Sequence, residues 1–576
     1  MNDLFTLPTQ GETQAALPRL PDGMYSFAGI RDRGAIYVDK TQHLFKLLQR
    51  PRLFFARPRR FGKSLTVSTL DAFFSGKKEL FRGLAAEKLL QAPDFTPRTV
   101  LHLDMAGVSG EKEILLARLR GTLQREAAKH GLTLTCEEPS SGFADLISML
   151  YARDNKRLVI LVDEYDTPVQ RAIEKGDAQR LEDSVEIMRD FYLNIKTADA
   201  WLDFVFITGI SKLSQRGVFS AALNHLSDIS TDPDFAALTG FTRQEIVDNF
   251  TPYLEKRGKD FGISPEEMLE EMEDYYNGFS FDGKTRVFNP FSAVMFFSKT
   301  LNKFDNFWMK SGSRLYIGAL LKQGGLRVED LRGKKTTWHE LDSSNERSLP
   351  HLILYQAGYL SPRWKPEDDE LTLDYPNTEV LTDISHLFLE NFYPDMGECV
   401  TLQKEFHRRL LDGDVDGMVR ALNLFLGSIP HHVYDSFNKT PPDPLSVPDP
   451  DADAETQQVL ERQAKQRKHE AGYQTVLYAF LTSTYGHAVT MEDNSSLGRR
   501  DITVSLPNGI YSDLIIELKT GHGAMEAQQA AENAWRQMHT KSYGDGCPNP
   551  LLLALGFDER ARKITDYKSN APQPSN

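Results

Sequence analysis

Cysteine is scarce: Cys136, Cys399 and Cys547 are the three in 576 residues, far apart and without Cys-x-x-Cys or Cys/His ligand spacing. That excludes a disulfide framework and a zinc site as organising devices, and a reducing cytoplasm is the expected home. Also lacking are a basic-then-apolar leader near the start and any apolar run of membrane-spanning length, so neither secretion nor a membrane partner is expected. Nor is positive charge in excess. With 67 Lys and Arg against 81 Asp and Glu the formal net charge is -14, which excludes general adhesion to polyanions and makes any nucleic-acid contact local. The local candidates are Arg57 with Arg59 and Arg60, the run Arg462, Lys465, Arg467, Lys468, and the pair Arg499, Arg500. Each such cluster is more often a solvated face than a nucleic-acid site.

What remains is a globular composition, 40% apolar and 26% charged, in a chain long enough for three or four cores. Residues 53 to 245 alternate short apolar runs with amphipathic stretches, the pattern of a parallel sheet covered on both faces. Strands are expected at Leu53 to Ala56, Val100 to Asp104, Leu158 to Val162 and Phe204 to Thr208. From Thr242 the sequence turns helical, with Thr242-x-x-Glu245 as a capping box and Pro265-Glu266-Glu267 as a helix start. Leu349 to Tyr359, Leu360 to Trp364, an acidic turn and Leu371 to Tyr375 outline either a winged helix or a plain helix-plus-hairpin unit. The acidic turn suits phosphate contact poorly. Residues 439 to 456 hold five prolines and five acidic residues and read as a solvated linker. Beyond it, Gly472 to Tyr485 and Ala524 to His539 read as helices, and Val489 to Glu492, Arg500 to Leu506 and Leu514 to Leu518 as strands. A polar tail is expected from about Ser569.

Arg59-Arg60-Phe61-Gly62-Lys63-Ser64-Leu65 follows the first strand and opens a helix, which would turn free backbone N–H groups toward phosphate oxygens. Lys63 would reach the β- and γ-phosphates of ATP and Ser64 would hold Mg2+. The pattern GxxxxGK[ST] is incomplete, because its first glycine falls on Arg57. Downstream, the strand Leu158 to Val162 delivers Asp163 for the magnesium shell and Glu164 to orient or deprotonate water. Thr208-Gly209-Ile210-Ser211 ends the next strand with hydroxyls suited to sensing a γ-phosphate. The competing reading is a chance tripeptide and a surface turn.

Near the other end, Asp501 precedes Glu517-Leu518-Lys519 by sixteen residues. Strand alternation puts Glu517 and Lys519 on one face, and a hairpin would bring Asp501 alongside Glu517. Two carboxylates to hold Mg2+ and a lysine to position water suit phosphodiester cleavage. Glu470 is a further candidate ligand, and Gln537 a candidate contact to water or phosphate. Glu-x-Lys on a strand is also a common ion pair, and spacing alone favours that plainer reading.

Tyr37-Val38-Asp39-Lys40-Thr41, Arg57 to Ser64, Val162-Asp163-Glu164-Tyr165-Asp166, Tyr276-Asn277-Gly278-Phe279 and Phe288-Asn289-Pro290-Phe291 together resemble the AAA-ATPase-like family of bacterial proteins. Tyr473-Gln474, Gly498-Arg499-Arg500-Asp501, Glu517-Leu518-Lys519 and Gln537…Tyr543 resemble a PD-(D/E)XK nuclease domain. The likeness covers roughly residues 18 to 435 and 468 to 565, and in that family an arginine at position 57 is ordinary. It implies an α/β chain: a P-loop parallel-sheet ATPase domain (1–245), a helical lid with the winged-helix candidate (246–438), a linker (439–467) and a restriction-endonuclease-like α/β domain (468–576). Carried over by position, Lys63, Ser64, Asp163 and Glu164 serve nucleotide and magnesium, and Asp501, Glu517 and Lys519 form the nuclease set. The linker looks like an insertion, and Arg500 stands where a small apolar residue is expected.

The leading expectation is therefore an ATP-dependent, Mg2+-dependent DNA endonuclease, with DNA bound through the C-terminal domain and defence against foreign DNA as a reasonable setting. The alternative is a nucleotide-switched regulatory or DNA-binding protein without nuclease activity. An ATPase whose C-terminal domain serves dimerisation is a third, and self-association is left open by these residues.

Overall fold

The computed structural model describes residues 17–210, 222–300, 303–308, 328, 331–342, 349–365, 367, 370–393, 395–429, 472–491, 502–506, 510–541, 543, 546–549 and 550–571. Ser211, Glu470, Asp501, the expected linker and the basic runs at 462–468 and 499–500 lie outside them. The chain forms two compact units, one drawn from Met1–Asn277 with Thr285–Asp305, the other from Gly278–Lys284 with Asn306–Asn576.

In the first unit β1 (Arg52–Ala56), β2 (Val100–Asp104), β3 (Leu158–Asp163), β4 (Leu202–Gly209) and β5 (Ser227–Asp228) form a parallel sheet in the order β2-β3-β4-β1-β5. Every residue of β3 is buried, as expected of a strand covered on both faces. One apolar layer, with Leu103, Leu119, Phe143, Ile160 and Phe191, covers one face, and a second, with Leu53, Phe55, Val67, Leu161 and Phe206, covers the other. The helix Lys63–Phe74 belongs to the second layer. Helices Arg243–Phe261 and Pro265–Tyr276 both begin with full capping boxes, Thr242 with Glu245 and Ser264 with Glu267. Glu245 also takes Lys40 Nζ at 2.6 Å, which ties the Tyr37 to Thr41 segment to this helix start.

The second unit holds two sheets. β6 (Lys334–Thr336), β7 (Ser361–Lys365) and β8 (Glu370–Asp374) are antiparallel in the order β6-β8-β7, beside the helix Leu349–Gln356 in sequence. The strands at 361–365 and 370–374 match the expected hairpin, and β6 was not anticipated. β9 (Val489–Met491), β10 (Ile502–Ser505), β11 (Asp513–Gly521), β12 (Pro550–Asp558) and β13 (Lys563–Ser569) form the second sheet in the order β13-β12-β11-β10-β9. Only β11 and β12 run parallel, joined through the helix Ala524–Thr540. That helix lies close on the sheet because its inner face is Ala527, Ala530, Ala531 and Ala534 and because Gly556 faces it. A Cβ at Gly556 would run into the Ala527 carbonyl. β12 and β13 were missed from sequence, where Leu551 to Leu555 is an apolar run with no period to distinguish strand from helix.

The middle helices of this unit pack on the last sheet's elements. Gln403 Nε2 donates to the Phe480 carbonyl at 3.1 Å, and Asn423 bonds the Ile564 backbone through both its oxygen and its nitrogen.

Candidate functional site

Sheet order decides which residues meet at the phosphate loop. β4 lies between β1 and β3, so the loop after β1, the hydroxyl at the end of β4 and the carboxylates at the end of β3 occupy adjoining strand ends at the same edge. The β1/β4 pairing runs one residue into the loop, with Arg57 N donating to the Gly209 carbonyl at 3.1 Å. Gly209 has no room for a side chain, since a Cβ there would stand 2.6 Å from the Tyr165 ring and 2.7 Å from Asp166 Oδ1.

Arg57, where the familiar pattern has glycine, sends its side chain down and away from the loop. It is 1% exposed, lies 4.2 Å over the Phe55 ring, and donates to the carbonyls of Ala56, Ser230 and Phe235 at 2.9, 2.6 and 3.1 Å. The loop is thus pinned from beneath rather than loosened. Arg60 and Gly62 adopt φ of 65° and 93°, and Phe61 is buried. Gly62 caps the helix Lys63–Phe74 with no side-chain hydrogen bond, and among the described residues nothing lies within 4 Å of where its Cβ would be. Open space above uncapped helix amides fits a phosphate.

Lys63 is buried, and its Nζ donates to the carbonyls of Arg57 and Pro58, each at 3.0 Å. Burial lowers its pKa, against the pull of Asp163, Asp166 and Glu164. A desolvated ammonium held by neutral carbonyls stands to gain from an anion. Ser64 and Leu65 are half-buried on the first turn. Across the sheet, Thr208 Oγ1 donates to Asp163 Oδ1 at 2.7 Å and the Glu164 amide donates to the same oxygen at 3.1 Å. Glu164 takes φ 53°, left-handed backbone costing a non-glycine residue about 1 kcal/mol, and Thr167 Oγ1 donates to its Oε2 at 3.2 Å.

Asp166, which sequence reasoning gave no role, is 1% exposed, and its Oδ2 accepts the Ile210 amide at 3.0 Å and Gln170 Nε2 at 2.6 Å. It ties the β3 turn to the end of β4. The signal was there in the second aspartate of Asp163-Glu164-Tyr165-Asp166, but spacing could not say that it turns toward β4.

The second candidate centre lies on β11. Glu517 is 2% exposed and pairs with Lys519 Nζ at 3.0 Å, while its Oε2 has no hydrogen-bond partner among the described residues. Strand alternation puts both on one face, as expected. A buried carboxylate oxygen without a donor fits a cation's ligand better than a plain surface ion pair, because leaving it unpaired costs stability. Ile502, the first residue of β10, pairs with Ile516, the residue before Glu517. Gln474 Nε2 donates to the Leu518 carbonyl at 3.4 Å and Gln537 Nε2 to Tyr543 Oη at 3.0 Å, so Gln537 is engaged within its own domain. Among the described residues no group of three His, Cys, Asp or Glu is placed to hold a metal ion, and no helix is long and apolar enough to cross a membrane. The expected ligands Asp501 and Glu470 lie outside those residues.

Residues 21–219 match the family model described as "Predicted AAA-ATPase", and residues 468–551 match the PD-(D/E)XK nuclease superfamily. Over 569 residues the chain is 28% identical to a protein of Azotobacter chroococcum mcd 1 described as "Uncharacterized protein in vnfD 5'region", covering 95% of this chain and 98% of that protein. The two segments carry an AAA-ATPase-like domain and a PD-(D/E)XK nuclease domain, the two resemblances read from the motifs.

Proposed function

We propose that this chain, with its AAA-ATPase-like and PD-(D/E)XK domains, binds and hydrolyses ATP and couples nucleotide state to Mg2+-dependent cleavage of DNA phosphodiester bonds. Restriction of foreign DNA is the setting this suits. The observation that carries the reading is the convergence at one sheet edge of Lys63, Thr208, Asp163 and Glu164, with a buried ammonium and a buried carboxylate facing an open loop.

In this reading Lys63 and the amides from Arg60 to Leu65 bind the phosphates, Ser64 and Asp163 hold magnesium, Thr208 keeps the Asp163 carboxylate oriented, and Glu164 takes a proton from water. In the C-terminal domain Asp501, Glu517 and Glu470 would hold a divalent cation, which offsets charge building on phosphorus and acidifies water. Lys519, 3.0 Å from Glu517, offsets its charge and stands ready to place the attacking group. The expected boundaries, an ATPase domain at 1–245, a helical lid at 246–438 and a nuclease domain from 468, belong to the same proposal.

The experiment is cleavage of linear, circular and single-stranded DNA by the full chain with Mg2+ or Mn2+, with and without ATP, beside Asp501→Ala. ATP-dependent cutting lost in the variant supports the coupled nuclease. ATP turnover with no cutting on any substrate turns the reading toward a nucleotide-switched DNA-binding protein.

A further inference from the structure

Three arginines crowd the phosphate loop, and two are committed. Arg57 is buried beneath it, and Arg59 lies 3.7 Å from Glu174. Arg60 differs. It is exposed, stands at φ 65°, and carries its guanidinium out of the loop onto Phe291, with the central carbon 3.8 Å from the ring centroid. It makes no ion pair with a carboxylate among the described residues, and partial burial lowers its pKa.

The ring it rests on is held firmly. Phe291 lies in the first turn of the helix Pro290–Ser298, where Asn289 Oδ1 accepts the amides of Phe291 and Ser292 at 2.9 and 3.1 Å. Just before, Phe288 and Phe241 exchange backbone hydrogen bonds at 2.7 and 3.1 Å. An exposed cation in the phosphate loop therefore rests on a fixed ring.

We propose that the Phe291 ring and the terminal phosphate of ATP compete for Arg60, so that Arg60 leaves the ring to meet that phosphate. Phe291 is then a positioning residue that sets the preference for nucleoside triphosphate over diphosphate. The reasoning is a competition. A cation over an aromatic face gains a modest free energy, which a terminal phosphate must exceed, so parking lowers apparent affinity for the ligand that draws Arg60 away and leaves the other unchanged. This rests on the phosphate-loop reading above.

The test measures ATP and ADP affinity of the full chain by competition against a fluorescent ADP analogue, without turnover. Phe291→Leu keeps apolar bulk but removes the aromatic face, and should tighten ATP about two- to fivefold with ADP unchanged. Phe291→Tyr keeps the face and should match the parent. Arg60→Gln should bring ATP affinity down toward that of ADP, and adding Phe291→Leu to it should change nothing further. If Phe291→Leu shifts both nucleotides equally, or shifts ATP as much with Arg60→Gln as without it, parking is wrong and Phe291 only supports the loop. Lys63→Met separates the two claims. Loss of both nucleotides upholds the phosphate loop whatever Phe291 does, whereas normal binding overturns the loop reading and parking with it.

Discussion

Thr208 Oγ1 and Asp163 Oδ1 lie 2.7 Å apart across the ends of neighbouring strands, a hydroxyl donating to a carboxylate that is 5% exposed. Thr208→Val keeps the shape and removes the donor. We expect a stability loss of about 1–3 kcal/mol from the carboxylate left short of a partner. ATP turnover should fall roughly tenfold or more, about 1.4 kcal/mol in the barrier, with nucleotide affinity little altered. Thermal unfolding, steady-state phosphate release and nucleotide titration check the three parts. A loss of affinity with turnover intact would place Thr208 in binding rather than in orienting Asp163.

Arg57→Gly completes the glycine-rich pattern yet should harm the protein. It strips three hydrogen bonds and a ring contact from the floor of the loop and takes the guanidinium from the Ser230 carbonyl, while the Phe235 carbonyl keeps the Leu238 amide. We expect about 3 kcal/mol or more of destabilisation in urea titration and weaker ATP binding. A variant as stable as the parent would show that the floor holds without the guanidinium.

His102 on β2 and Asp71 on the helix Lys63–Phe74 face each other at 3.2 Å. Burial disfavours the imidazolium, but the hydrogen bond and charge of Asp71 outweigh it and the His102 pKa is raised. A folded-state pKa above the unfolded one contributes stability that is complete below the unfolded value, about 6.5, and fades as pH climbs through the folded value. Melting temperature should thus decline above about pH 6.5 in the parent, and the decline should shrink in Asp71→Asn. Equal slopes in the two proteins would remove the pair from the account.

Lys519→Ala leaves Glu517 buried without its cation. A cost of about 1–3 kcal/mol is expected, recovered in large part by adding Glu517→Gln, which removes the stranded charge. Neither protein should cut DNA. Urea titration of the single and double variants checks the coupling, and additive losses would mean the two side chains act independently. Cleavage by Lys519→Ala at the parent rate would end the nuclease assignment.

Much of this was legible because period and punctuation are strong where elements are regular. β3 reads as a strand from Leu158 to Val162, and the capping box at Thr242 and the Pro265-Glu266-Glu267 start mark where helices begin. Sequence could not supply the order β2-β3-β4-β1-β5, which brings Thr208 between the loop and Asp163, because strand order is set by long-range packing. It also could not say where Arg57 points. The arginine looked like a lapse in a phosphate-binding pattern and is instead a pillar, a distinction that depends on Ser230 and Phe235, far along the chain. β12 and β13 went unread for want of alternation in Leu551 to Leu555. At β11 the shared face of Glu517 and Lys519 followed from alternation alone, and the burial of Glu517 did not.

The interleaving of the two units, in which Gly278–Lys284 belongs to one while Thr285–Asp305 returns to the other, bears on how the chain is born. On the ribosome the whole five-stranded parallel sheet has been synthesised by Asp228, yet the unit that contains it still awaits the helix Pro290–Ser298. Domains fold as units during synthesis. A nascent chain arrested at Asn277 has its phosphate loop but no Phe291 to receive Arg60. Translation itself then sets the moment at which the loop acquires its resting partner, and a gene truncated at this tempting boundary yields an AAA-ATPase-like fragment missing that partner.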